Sequence, residues 1–208
     1  MAVCNLFASK VSQDALRRLF EGMTDRAGNI QPGLIYPDQL APIIRNDDEG
    51  LELVKARWGM PSPKFALKTE RDPGVTNVRN LGSGHWRRWL GRAHRCLVPV
   101  SAFAEPIKGK GNQWFASADP DATMFFAGIE VRSWTSVRKV KDGPTEDDLF
   151  AFLTCEPNAE VKAVHPKAMP VILTKPDDWH AWMDGIAAAM LQRPLPDDSL
   201  DLIDDNKF

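Results

Sequence analysis

Apolar residues in this chain fall mostly in short runs, separated by glycine, proline and asparagine. Residues 3–8 form one such run and predict a short strand. Ser12 is placed to cap a helix reaching about Met23, with Leu16, Leu19, Phe20 and Met23 on one face. Residues 24–38 are rich in turn formers and predict a loop, and residues 51–58 predict a strand. Pro61, Pro63, Pro73 and Gly74 make residues 59–76 a long exposed loop, followed by a short helix over 84–91. The pattern then turns to β, with strand-length runs at 96–103, 113–118, 124–131 and 149–155 and turns at 109–111 and 139–144. A short helix over 157–163 leads to His165, then a strand over 169–173 and a helix over 176–191. From Pro194 the chain is rich in aspartate, so 194–208 is expected to be an acidic, loosely held tail. With 208 residues, no internal repeat and no strong linker, the expectation is one compact α+β domain over 1–208, dominated by antiparallel sheet.

Composition narrows the class. No stretch approaches the roughly 20 apolar residues of a membrane span. The opening MAVCNLFASK lacks the basic region and long apolar core of a secretory signal, which points to the cytoplasm and no membrane partner. Cys4, Cys96 and Cys155 are too few and too scattered for a disulfide framework, and four dispersed histidines offer no metal spacing, so neither metal nor cofactor is expected. Cys96 and Cys155 lie in apolar runs and read as core, and nothing is expected of His180.

Net charge is only −2, but its distribution is uneven. Residues 74–104 contain no Asp or Glu and hold Arg79, Arg87, Arg88, Arg92 and Arg95 with His85 and His94. The acids gather after Lys175, which leaves room for one basic face able to pair phosphates. Trp86 and Trp89 interleave with the arginines. Either they stack unpaired bases, or they face the core of a helix whose arginines face water.

Four segments then fit one pattern: Cys4-Asn5-Leu6; Thr76-Asn77-Val78-Arg79; Arg95-Cys96-Leu97-Val98-Pro99 leading to Glu105; and His165 followed by Met169-Pro170-Val171-Ile172-Leu173. Phe126-Ala127-Gly128-Ile129 lies between the last two. In this order they resemble the SOS response-associated peptidase (SRAP) family, also called abasic-site processing proteins, from Cys4 to about Trp182. The resemblance implies a β-rich, barrel-like core flanked by short helices, and a DNA damage role in which single-stranded DNA is bound. The ring-opened aldehyde of an abasic site is captured covalently as a thiazolidine on an N-terminal cysteine. It places the nucleophile at Cys4, with Asn77, Glu105 and His165 beside it and Arg79 two residues past the asparagine. With Arg79, the residues Arg87, Arg88 and Trp86 are the candidates for DNA contact.

The residue types suit that chemistry. A terminal cysteine carries an amine and a thiol on adjacent carbons, so an imine formed at one is closed by the other in an effectively intramolecular step. An α-amino group titrates near 8, leaving part of it neutral at pH 7. Glu105 can move protons during addition and water loss, and His165 can assist ring opening of the sugar. Asn77 can hold the N-terminus without adding charge, and Arg79 suits a flanking phosphate.

The sequence departs from the family pattern in three places. Ala2 and Val3 stand between Met1 and Cys4, and an internal cysteine has an amide nitrogen that cannot form an imine. A start at position 3, self-cleavage before Cys4, or an inert member would each account for this, and the misplaced start is the favoured reading. Asn80-Leu81-Gly82 replaces a segment that often carries an acid, and Pro106 stands where an aromatic is common. The crosslinker is therefore weighed against a thiol autopeptidase that trims residues before Cys4 and against a non-covalent single-stranded DNA-binding module.

Overall fold

The structure is a computed structural model describing residues 4–107 and 109–204. Its strands are β1 Leu6–Ser9, β2 Thr24–Asp25, β3 Gly33–Ile35, β4 Leu40–Asp47, β5 Gly50–Trp58, β6 Asn77–Val78, β7 Arg95–Val100, β8 Ala102–Ile107, β9 Gly111–Ser117, β10 Met124–Val137, β11 Pro144–Cys155, β12 Met169–Pro170, β13 Ile172–Leu173 and β14 Leu200–Ile203. Five short helices accompany them: α1 Gln13–Leu19, α2 Gly84–Arg87, α3 Ala159–Val164, α4 Pro176–Met183 and α5 Ala188–Leu191.

Strands β5, β4, β7, β10 and β11 pair in that order, and β11 pairs again with β5, closing a five-stranded barrel. The closing pair is parallel and aligns Leu149 with Arg57 and Phe150 with Trp58. The other barrel pairs are antiparallel. Beyond the short closing contact, β2 pairs with β5 and β6 with β11, each along two residues of the facing edges. A second, antiparallel sheet runs β14-β9-β8-β1-β3. The chain passes between the two sheets at Ser101, whose N–H bonds the carbonyl of Ala8 at 2.8 Å. This step splits the single run predicted over 96–103 into β7 and β8.

Alternation along β1 shows how the sheets meet. Phe7 points into the main core, while Leu6 and Ala8 join a smaller cluster with Ala102, Ala104 and Trp114. Phe7 meets Trp58 and Phe126 edge-on at 5.1 and 5.6 Å between ring centroids. Phe126 and Phe152 are 4.4 Å apart, and Phe103 adds a contact to Phe126 at 6.0 Å. The strand before Glu105 is thus keyed into the aromatic core. Gly128 is required in this core, because a Cβ there would lie 2.6 Å from the sulfur of Cys96.

Several expectations are corrected. Residues 40–47 form a barrel strand that the sequence pattern did not single out. The helix from Ser12 ends at Leu19, and short strands β2 and β3 lie within the loop predicted over 24–38. The helix predicted over 176–191 is two helices, parted at Gly185, where a φ of +87° and close approach to Arg92 would strain any side chain. The expected loose tail contains β14, which pairs with β9 from Leu200↔Ser117 to Ile203↔Trp114. Residues 205–208 of that tail, and Ala2 and Val3 of the start question, lie outside the described residues.

Candidate active site

Cys4 lies just before β1, and its backbone N–H donates to Glu105 Oε1 at 3.0 Å. The pairing of β1 with β8, which sets Leu6 opposite Ala104, brings these positions together. The carbonyl of Cys4 accepts from Asn77 Nδ2 at 3.2 Å. Asn77 begins β6, whose parallel pairing with β11 sets Asn77 opposite Phe152. The same side chain bonds Thr76 Oγ1 at 2.8 Å, and Trp58 Nε1 holds the Thr76 carbonyl at 3.1 Å. Both backbone groups of Cys4 are therefore gripped, and its φ of +34° is a conformation that L-residues rarely adopt.

His165 follows the last turn of α3, where its N–H bonds the Val161 carbonyl at 2.7 Å. Its Nδ1 lies 3.1 Å from the Ala168 carbonyl, an acceptor, so Nδ1 carries the proton and Nε2 presents a lone pair in the neutral ring. Nδ1 is also 3.8 Å from Glu105 Oε2, in its neighbourhood but too far for a hydrogen bond. Cys4 and Glu105 are 0% exposed and His165 is 2% exposed. Glu105 Oε2 and His165 Nε2 are buried with no hydrogen-bond partner. Buried polar atoms usually have a partner, so these two leave hydrogen-bonding capacity in the cluster for a bound water or a reacting group.

Burial dominates the titration of this cluster. It raises the Glu105 carboxyl to about 8, opposed by the Cys4 N–H. Burial, and then the charge of Glu105, push the Cys4 thiol well above its usual value. The site thus holds a carboxyl able to exchange a proton near neutrality and a thiol that stays protonated until it reacts.

The sequence candidates for DNA contact divide. Arg79 reaches across the site's edge to the carbonyls of Cys155 at 2.7 Å and Lys167 at 3.2 Å, and also pairs with the exposed Glu156. Arg87 and Arg88 are exposed on and just beyond α2, and Arg88 lies 3.8 Å over the ring of Trp89. Trp86 is only 8% exposed and packs against His85 and Trp89, so stacking on a base requires this segment to open. Arg95 is buried against Trp182 at 3.6 Å and bonds the carbonyls of Leu90 and Ile186, which removes it from any basic face. Among the described residues no His, Cys, Asp and Glu side chains gather as a metal site, and no helix is long and apolar enough to cross a membrane.

Sequence reasoning missed the backbone acceptors of the site, the carbonyls of Leu6 and Ala168, which no side-chain motif marks. It also missed Trp58, whose position at the end of a predicted strand was the available signal.

A family model described as SOS response associated peptidase matches residues 3–204. Solved structures share the fold, three of them as follows. One, of a Bordetella bronchiseptica protein, has TM-score 0.67 and 23% identity, covering 97% of this chain and 100% of that one. A Bacteroides thetaiotaomicron protein has TM-score 0.74 and 19% identity, covering 98% and 93%. A phage-related protein from Bordetella bronchiseptica has TM-score 0.67 and 20% identity, covering 96% and 93%. No curated protein matches the chain.

Proposed function

Since the chain belongs to the SOS response-associated peptidase family, we propose that it caps abasic sites in single-stranded DNA by crosslinking through Cys4. The observation that carries this reading is the nitrogen of Cys4 seated on Glu105, beside an unpartnered His165 Nε2. In a chain whose first residue is Cys4 that nitrogen is an amine. It adds to the sugar aldehyde, and loss of water leaves an imine. The thiol then adds to the imine carbon and its proton passes to the ring nitrogen, closing the thiazolidine. Glu105, the carboxyl seated on the Cys4 nitrogen, exchanges the protons of addition and dehydration. His165 Nε2 is the base for the sugar hydroxyl during ring opening, and Asn77 fixes the Cys4 carbonyl so that the amine faces Glu105.

Arg87 and Arg88 are the phosphate contacts in this reading, and a phosphate at Arg79 replaces Glu156 as its partner. The test is the intact mass of a chain beginning at Cys4 after mixing with an oligonucleotide carrying one abasic site. The expected species has the summed masses less one water and survives heating, and Cys4→Ser forms no heat-stable species. Absence of the adduct from the chain beginning at Cys4 returns the protein to a non-covalent binder.

A second reading rests on the same contact. While residue 3 is attached, the nitrogen on Glu105 belongs to the peptide bond before Cys4. Attack of the Cys4 thiol on the preceding carbonyl transfers the acyl group from nitrogen to sulfur. Water then hydrolyses the thioester and leaves the free amine. Self-trimming of this kind supplies the terminus that crosslinking needs. It predicts that Cys4→Ser retains residues 1–3 while the parent chain loses them.

A further inference from the structure

The acidic segment after Pro194 is bound to the helix that carries His165. Asp197 Oδ1 accepts from the N–H of Ala159, the first residue of α3, at 2.8 Å. Asn158, the N-cap of α3, donates from Nδ2 to the Pro196 carbonyl at 3.4 Å and accepts from the Val161 N–H at 3.3 Å. Glu160 reaches back to the N–H of Asp198. The segment is fixed at both ends. Gln192 Nε2 bonds the carbonyls of Arg79 at 2.7 Å and Thr154 at 2.9 Å before it, and β14 joins β9 after it.

α3 has six residues, and a helix so short does not hold itself in water. Its place is set by what grips its ends, and its C-terminal end delivers His165 to within 3.8 Å of Glu105. We infer that residues 194–199 are a strap that aims His165 at the Cys4–Glu105 pair, with Asp197 as its positioning residue. The inference rests on the reading of His165 as a proton-transfer group at Cys4. Asp197 touches no reacting atom. It satisfies an N–H that the helix itself leaves unpaired and so fixes the angle at which α3 leaves the sheet.

The test uses the full chain processed to begin at Cys4, with an oligonucleotide bearing one abasic site. Asp197→Ala is expected to slow crosslinking about five-fold, in line with loss of one helix cap, while non-covalent binding of the same oligonucleotide is unchanged. Asp197→Asn keeps the acceptor and is expected to restore the rate to within about two-fold. On a His165→Ala background, Asp197→Ala is expected to have no further effect, because the two act in series. The same slowing on both backgrounds, or no slowing on either, overturns the strap. The ring nitrogen resonances of His165 give a readout independent of activity: movement in Asp197→Ala supports the strap and no movement overturns it. Full crosslinking by His165→Ala alone defeats the proton-transfer reading instead, and the ring resonances then still decide whether the strap aims His165.

Discussion

At Glu105 two demands meet, because a carboxyl buried at 0% exposure is held neutral by its surroundings and yet faces the nitrogen it is proposed to serve. Its titration is raised from 4.5 to about 8, so between those values the folded chain holds a proton that the unfolded chain has released. Stability from this group is therefore present below about pH 4.5 and is lost as pH rises towards 8. Glu105→Gln, in the chain that retains residues before Cys4, is expected to gain on the parent by on the order of 1 kcal/mol per pH unit within that window. Urea denaturation at pH 5, 6.5 and 8 measures the gap, and a constant gap removes the burial account. In the chain beginning at Cys4 the same variant is expected to slow crosslinking about 100-fold, as is His165→Ala, measured by single-turnover gel assays. The four residues of this cluster were legible because each is a distinctive type within a short motif. The burial that sets their chemistry was not, since no local pattern shows that Glu105 ends up beneath Cys4 or that Arg95 turns inward to Trp182. Pairing of distant strands decides both.

At the scale of elements, the loop before Asn77 shows how an irregular segment is made firm. The buried guanidinium of Arg138 bonds the carbonyls of Gly59 and Asp72, and Asp72 accepts from Ser62 and Gly74. Met60 and Val75 exchange backbone hydrogen bonds at 2.9 and 2.8 Å, closing the base of the loop. A Cβ on Gly74 would stand 2.3 Å from Arg138 Nη1, at a φ of +77°. Gly74→Ala is accordingly expected to destabilise the protein by about 1–3 kcal/mol, seen as a lower Tm, and to slow crosslinking by displacing Asn77. Proline and glycine marked this segment as loop, but the arginine that organises it comes some 65 residues later and gave no local signal. Strand β4 escaped notice for a related reason: Ile43 and Ile44 point to opposite sides and both are buried, so the alternation of a half-exposed strand is missing. For α2, Arg87→Ala with Arg88→Ala is expected to weaken binding across DNA sequences. The log–log salt slope should shrink by about 1.4, two contacts at roughly 0.7 each. An unchanged slope in filter binding assigns the phosphates to other side chains.

For the molecule as a whole, the closed barrel and the sheet laid over it share one aromatic core, so the site has no foundation separate from the fold. Phe126 touches Phe7, Phe103 and Phe152, which belong to three other strands. Phe126→Ala is expected to destabilise by about 3–5 kcal/mol and to abolish crosslinking and non-covalent binding together, as followed by thermal denaturation and gel shift. The α+β class and the barrel-like core were legible from strand-length apolar runs and the family resemblance. Closure by the parallel β11–β5 pair was not, because it joins segments some 90 residues apart. That spread has a consequence during synthesis. Cys4 leaves the ribosome about 160 residues ahead of His165. At roughly 5–20 residues per second, Cys4 waits about ten to thirty seconds on the nascent chain before His165 exists. An external aminopeptidase meets Cys4 unburied in that interval, whereas in the completed fold, where Cys4 has no accessible surface, capture of a sugar requires the segment before β1 to open.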